Sequence, residues 1–156
     1  VPYGKQTLED SLYFEDGFKQ VIGSLTEGRY LTFESNGYAL TNPGSTKGKG
    51  TDALTATKTT SKHDSKNQRW VIHSSNGTFQ ISSAFDGQFI GKNGKLVAAS
   101  QQAKSAANFE ITFEAGKGYS VQYSGGKYLT IKSNGKVDAE ANSGVEYDVY
   151  SVSYHN

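Results

Sequence analysis

The sequence predicts an all-β domain of twelve short strands arranged in three pseudo-symmetric units. Three observations predict it. Glycine-plus-aromatic phrases recur at Gly28-Arg29-Tyr30-Leu31, Gly87-Gln88-Phe89-Ile90 and Gly126-Lys127-Tyr128-Leu129, and a phrase repeated along a chain sets the architecture before local propensity does. Asn-Gly stands at Asn36-Gly37, Asn76-Gly77, Asn93-Gly94 and Asn134-Gly135, the strongest short-range signal for a tight hairpin. Between these turns apolar and polar residues alternate, the period of a strand with one buried face.

Composition narrows the class. A chain of 156 residues holds one core, so 1–156 is read as a single domain. Only 35% of residues are hydrophobic, and ten Tyr and eight Phe carry much of the packing. Sixteen Lys+Arg against 15 Asp+Glu leave a net charge of +1, which supplies no field to draw in nucleic acid. The chain has no Cys and no Met, excluding disulfides, thiolate catalysis and Cys-based metal sites. No window approaches the apolar length of a membrane span. The chain starts at Val1, as expected of a processed protein or a piece of a longer one. Asn76-Gly77-Thr78 is an N-glycosylation acceptor placed at a turn, which points to a secreted, extracellular protein.

The elements follow in order. Residues 1–16 are polar and irregular and read as a surface arm. The first unit, about 24–83, holds strands at Tyr30–Phe33, Tyr38–Thr41, Trp70–Ile72 and Phe79–Ile81. The second, 84–123, holds Phe89–Ile90, Leu96–Ala99, Phe109–Ile111 and Tyr119–Val121. The third, 124–156, holds Tyr128–Ile131, Val137–Ala139 and Tyr147–Val152 and then runs out of chain. Its fourth strand is expected at the other end, because Gly17–Ile22 precedes Gly28 as Gly118–Val121 precedes Gly126. With 17–23 completing the last unit, the sheet closes and few strand edges stay free. Twelve strands with pseudo-threefold symmetry make a β-trefoil.

The first unit is longer than the others, and its excess lies between Thr41 and Asn67. That stretch reads as a return strand at Ala53–Ala56 between extended loops, the kind of insertion that costs little closure entropy and often carries function. Alternation predicts a core of Leu31, Phe33, Ile90, Leu129 and Ile131, with Trp70, Ile72, Phe109, Ile111, Tyr147 and Val149. Phe79, Ile81, Tyr119 and Val121 join it, together with Phe18 and Ile22 or Val21.

Groups able to carry catalysis are sparse. His63, His73 and His155 fall at no metal-ligand spacing, and Glu110, Glu114, Asp138 and Glu140 are scattered. The glycines of Gly44 to Thr51 lack phosphate-loop spacing and no apolar helix follows. The expected protein is therefore not an enzyme and needs no metal or cofactor. Asn67-Gln68-Arg69-Trp70 is the sharpest local signal, since polar side chains beside an aromatic ring suit a sugar's hydroxyls and its C–H face.

This tetrad resembles the Asn-Gln-x-Trp ending of the ricin-type lectin repeat, in which the Trp is core and the Asn and Gln hydrogen-bond a sugar. The other units read Ala107-Asn108-Phe109 and Val145-Glu146-Tyr147, and Thr32 and Thr130 stand where that family has Asp. Gly-x-Tyr-Leu-Thr followed by Asn-Gly, in 28–37 and 126–135, resembles the fascin-like and ricin-like β-trefoil groups. The runs Val1 to Gln6, Glu15 to Lys19 and Leu25 to Glu34 resemble the C-terminal tail domain of fungal secreted phosphoesterase-type phospholipases C. That resemblance implies a non-catalytic accessory domain of an extracellular hydrolase, binding cell-wall glycan or a lipid head group.

The expected function is thus a lectin-like, extracellular carbohydrate-binding module. Its site residues are expected to be Asn67, Gln68, Thr32 and Tyr38, with Asp86 and Lys127 at the turns opening the later units. The alternatives are a protein-interaction or protease-inhibitor trefoil using the 42–66 loop, and a purely structural accessory domain.

Overall fold

In β8 (Phe109–Glu114), Phe109, Ile111 and Phe113 are buried while Glu110, Thr112 and Glu114 are exposed, the period of two that gives a strand one face in a core. The same rule builds the rest of the computed structural model, which describes residues 29–61, 65–75, 77–114 and 116–153. The preceding strands are β1 (Arg29–Ser35), β2 (Tyr38–Thr41), β3 (Thr55–Lys58), β4 (Trp70–Ser75), β5 (Thr78–Ser83), β6 (Phe89–Ile90) and β7 (Leu96–Val97). Those following are β9 (Gly118–Tyr123), β10 (Tyr128–Ile131), β11 (Val137–Ala141) and β12 (Asp148–Ser153).

Six of these strands close an antiparallel ring in the order β1-β4-β5-β8-β9-β12, and β12 returns to β1. Within each unit, first and fourth strands meet at equivalent points: Leu31↔Trp70, Phe79↔Phe109 and Tyr119↔Tyr147. The remaining six strands form the hairpins β2–β3, β6–β7 and β10–β11. Twelve strands in three lobes are the β-trefoil that the repeats imply.

The pairings place the repeat frame one strand later in the first unit than expected. Closure is made by β12 on β1, from Arg29↔Ser153 to Glu34↔Asp148, so β1 stands as first strand of its unit, in the role of β5 and β9. The strand equivalent to Phe89–Ile90 and Tyr128–Leu129 is accordingly Ala39–Leu40, after Gly37, and not Tyr30–Leu31. The arm at 1–16, the strand at 17–23 and the core roles of Phe18, Val21 and Ile22 lie outside the described residues. So do His63, His155 and the acceptor Asn76.

The insertion also differs in register. The return strand is Thr55–Lys58, paired with β2, because the residues before it are engaged elsewhere: Ala53 bridges Lys95, and the N–H of Leu54 donates to the Gly94 carbonyl at 2.8 Å. After Val97, where a strand was expected to run to Ala99, the chain enters a 3-10 turn at Ala99–Gln101 and a one-turn helix at Gln102–Ser105. Gln, Ala and Lys there are good helix formers.

All fifteen of the described core positions expected from alternation are buried, and Leu40, Leu54, Leu96 and Phe113 complete the cluster. Trp70, Phe109 and Tyr147 occupy equivalent places in it. The carbonyls of Leu40, Ile90 and Leu129, at equivalent positions of the three hairpins, are each served by a different donor. The Trp70 indole N–H serves the first at 3.0 Å, the Tyr147 hydroxyl the third at 2.8 Å, and the Ala107 backbone N–H the second at 3.0 Å. A buried carbonyl needs such a donor, and Phe109 has none to offer.

Candidate functional site

Around the insertion, the structure brings Asn67 and Asp86 to one residue that sequence reasoning did not single out, Asn42. The Asn42 amide nitrogen donates to Asp86 Oδ1 and to Ser83 Oγ, both at 2.9 Å. Asn67 donates to the Asn42 carbonyl at 2.7 Å. Gln88 Nε2 then joins Asp86 Oδ2 (2.9 Å) to Asp52 Oδ2 (2.8 Å), and Thr46 donates to Asp52 through its hydroxyl and its backbone N–H. Burial acts to raise the Asp52 pKa, but the hydrogen bonds from Gln88 and Thr46 outweigh it and hold the carboxyl below its ordinary value. These side chains are spent on pinning the 42–52 loop to the turn before β6.

The remaining expected site residues stand apart. Gln68 is 1% exposed, its amide donating to Thr57 Oγ1 at 2.8 Å and the Lys58 carbonyl at 2.9 Å. Thr32 is fully buried and donates to Glu34 Oε2. The Tyr38 ring packs on Gly135, where an added Cβ would come within 2.7 Å of it. Lys127 is exposed and donates to Asn142 Oδ1 at 2.7 Å. The six residues therefore form no common surface.

His73 pairs with Ser82 Oγ at 2.8 Å and lies against the Phe89 ring, and burial lowers its pKa. Among the described residues no group of three or more His, Cys, Asp or Glu could hold a metal ion. No helix there is long and apolar enough to cross a membrane.

Among the described residues, a concave feature with free polar groups lies where the second unit meets the third. It is a cleft of about 660 Å³ whose walls are the β6–β7 turn, the Lys104–Asn108 segment and the Tyr123–Gly125 turn. Backbone bonds fix these walls: Gly91 bridges Ala106, the Ala107 N–H donates to the Ile90 carbonyl, and the Ser124 N–H to that of Asn108. Tyr123 locks the floor. Its hydroxyl donates to the Gly91 carbonyl at 2.9 Å and accepts from the Gly94 N–H at 3.0 Å, and burial pushes its pKa up to about 12. Asn93, at φ 56° in the Asn-Gly turn, is exposed on the rim. Only the Asn93-Gly94 turn signal pointed toward this place; the cleft itself comes from the docking of two successive units.

The chain belongs to the fascin domain family, whose domain matches residues 49–152. No curated protein matches it. Among solved structures it is similar to the Clostridium perfringens endo-β-galactosidase that releases GlcNAcα1-4Gal. That match has a TM-score of 0.59 and 13% identity over 80% of this chain, which spans only 32% of the enzyme. It is also similar to the Rhizoctonia solani agglutinin (0.56, 18% identity, 81% of this chain and 94% of that one). A designed threefold-symmetric protein, ThreeFoil, matches with a TM-score of 0.52 and 14% identity over 81% of this chain and 90% of its own. Similarity at these identities shows the shared fold.

Proposed function

We propose that this chain is a non-catalytic carbohydrate-binding module whose sugar site is the cleft between the second and third units. One observation carries the reading: Asn93, Ser105 and Ser124 line the cleft, and among the described residues no hydrogen bond occupies their side chains. A sugar needs unspent donors and acceptors beside an apolar surface for its C–H face, and Val97, Ala106, Ala107 and the Tyr123 ring supply the latter. The expected groups of the first unit, and Asp86 at the turn before β6, are engaged internally, so Asn67, Gln68, Thr32 and Asp86 act here as supports of the fold. The similarity to an agglutinin is in keeping with this reading.

Within the same proposal the domain is secreted and appended to a hydrolase of the fungal phospholipase C type. The N-terminal resemblance and the Asn76-Gly77-Thr78 acceptor favour this. The galactosidase, much longer than the part matched, shows that a trefoil fold can belong to a larger enzyme.

Glycan-array screening followed by NMR titration tests the proposal. Saturable binding is expected, weakened about tenfold by Asn93→Ala, the loss of one or two hydrogen bonds, and unchanged by Lys127→Ala. If no glycan binds at about 1 mM, or if bound glycans shift amides of the first unit and leave 92–108 and 123–125 unmoved, the proposal is wrong.

A further inference from the structure

Charge is unevenly placed on a chain whose net charge is +1. Lys92, Lys95 and Lys104 all line the cleft between the second and third units, and no Asp or Glu does. None of the three has an ion-pair partner among the described residues, in contrast to Lys117, which meets Glu114 at 3.1 Å. The adjoining depression, which shares Lys92, Asn93 and Tyr123 with the cleft, is lined by both Lys127 and Glu140 and so adds no net charge of its own. Glu34, Glu146 and Asp148 gather instead in a separate depression of about 460 Å³.

We propose, on the basis of the carbohydrate reading above, that the cleft selects acidic glycans, with the lysines receiving carboxylate or sulfate groups. Lys92 and Lys95 flank Asn93 on the β6–β7 turn, and Lys104 faces in from the one-turn helix. An acidic sugar seated on Tyr123 has cations on two walls, while Asn93 and Ser124 remain for its hydroxyls. Uncompensated cations lining a concave, partly apolar site raise the local concentration of anions and act more strongly than on open surface.

The same surroundings argue against other anions. A nucleic acid strand wants a series of stacking rings along a basic groove, and this cleft holds one ring, locked by two hydrogen bonds. A membrane surface wants exposed apolar groups to insert beside the cations. Among the described residues the exposed large hydrophobic is Phe85, and it packs by Gly44 in the insertion.

Calorimetric titration with matched oligosaccharide pairs provides the test: a uronate oligomer against its carboxyl-reduced form, and a sulfated oligomer against its desulfated form. The two arms separate carboxylate from sulfate recognition. At about 50 mM salt the acidic member is expected to bind at least about tenfold tighter, and about 500 mM salt should erase most of that gap. Combined Lys92→Gln, Lys95→Gln and Lys104→Gln should abolish the gap while leaving neutral glycan affinity within about twofold. These side chains are exposed, so the fold, checked by circular dichroism, should be unaffected.

Equal affinity for acidic and neutral members, or a gap that survives the lysine substitutions, overturns the inference and leaves the carbohydrate reading standing. Absence of all glycan binding removes both. Binding of an oligonucleotide or of anionic phospholipid vesicles that depends on the same lysines, without glycan binding, also overturns it.

Discussion

The indole N–H of Trp70 donates to the carbonyl of Leu40 across 3.0 Å of buried interior. The Tyr147 hydroxyl repeats that bond on Leu129 two units later. Burial raises the Tyr147 pKa above its ordinary value, so the hydroxyl is protonated and donating at neutral pH. Tyr147→Phe removes the donor and leaves a buried carbonyl unserved, so a loss of about 1–3 kcal/mol in urea unfolding is expected. An unchanged midpoint would mean that water or a backbone shift takes over the bond.

A second weak point is Gln88, whose amide nitrogen lies between the Asp52 and Asp86 carboxylates. Gln88→Ala deprives both of a donor and sets two negative groups across a void. A loss of about 1.5–3 kcal/mol is expected, with the 42–52 amides losing hydrogen-exchange protection before those of β8 and β9. Uniform loss of protection across the chain would show that the insertion is not held by this network.

Gly118 opens β9 at φ +133°, and a Cβ there would stand 2.6 Å from the Tyr147 carbonyl oxygen. Gly118→Ala is expected to cost about 2 kcal/mol or more, since the backbone conformation is strained and the clash is with main chain. Gly125→Ala is the control, with nothing within 4 Å of the added atom, and should change stability by less than about 0.5 kcal/mol.

His73 supplies a pH dependence of defined sign. Its pKa in the fold is lowered by burial from the ordinary value of 6.5, so the neutral ring is the one the fold accommodates. Its contribution is present in full above 6.5, the unfolded value, and is lost as pH falls from there through the lowered folded value. Thermal midpoints at pH 8 and pH 5 (about one and a half units either side of the ordinary value) should therefore differ less in His73→Gln than in the parent. Equal slopes would show that His73 titrates as if in solution. Asp52, held below its ordinary 3.8, adds a separate loss only at more acid pH.

Much of the fold was legible because local signals agree with one another. Phe109, Ile111 and Phe113 alternate without interruption, and the Asn93-Gly94 turn lies where the left-handed φ values occur. The first unit misled for a physical reason. Arg29-Tyr30-Leu31 matches the repeated phrase in composition, but strand pairing decides equivalence, and Leu31 meets Trp70 as Phe79 meets Phe109. Ala39, small where Phe89 and Tyr128 are aromatic, hid the true copy.

The site was less legible. Asn67 and Gln68 have the side-chain chemistry of a sugar contact, but whether a polar group faces solvent or its own backbone is settled by tertiary contact. Gln68 turns to β3, which an insertion brought beside it. The lysines of the cleft all stand in the second unit, and what their spacing does not reveal is that the Tyr123–Gly125 turn of the third unit docks beside them to make a cleft.

The register partnership of Arg29 with Ser153 has a topological consequence. Facing residues on antiparallel strands lie about 5 Å apart, so the first and last of the described residues meet at a single spot. Such a module can be spliced into a surface loop of a host protein with scarcely any change in the spacing of the loop's ends. By the same geometry, a circular permutant with those ends linked and the chain reopened between Glu114 and Gly118 should retain the native architecture.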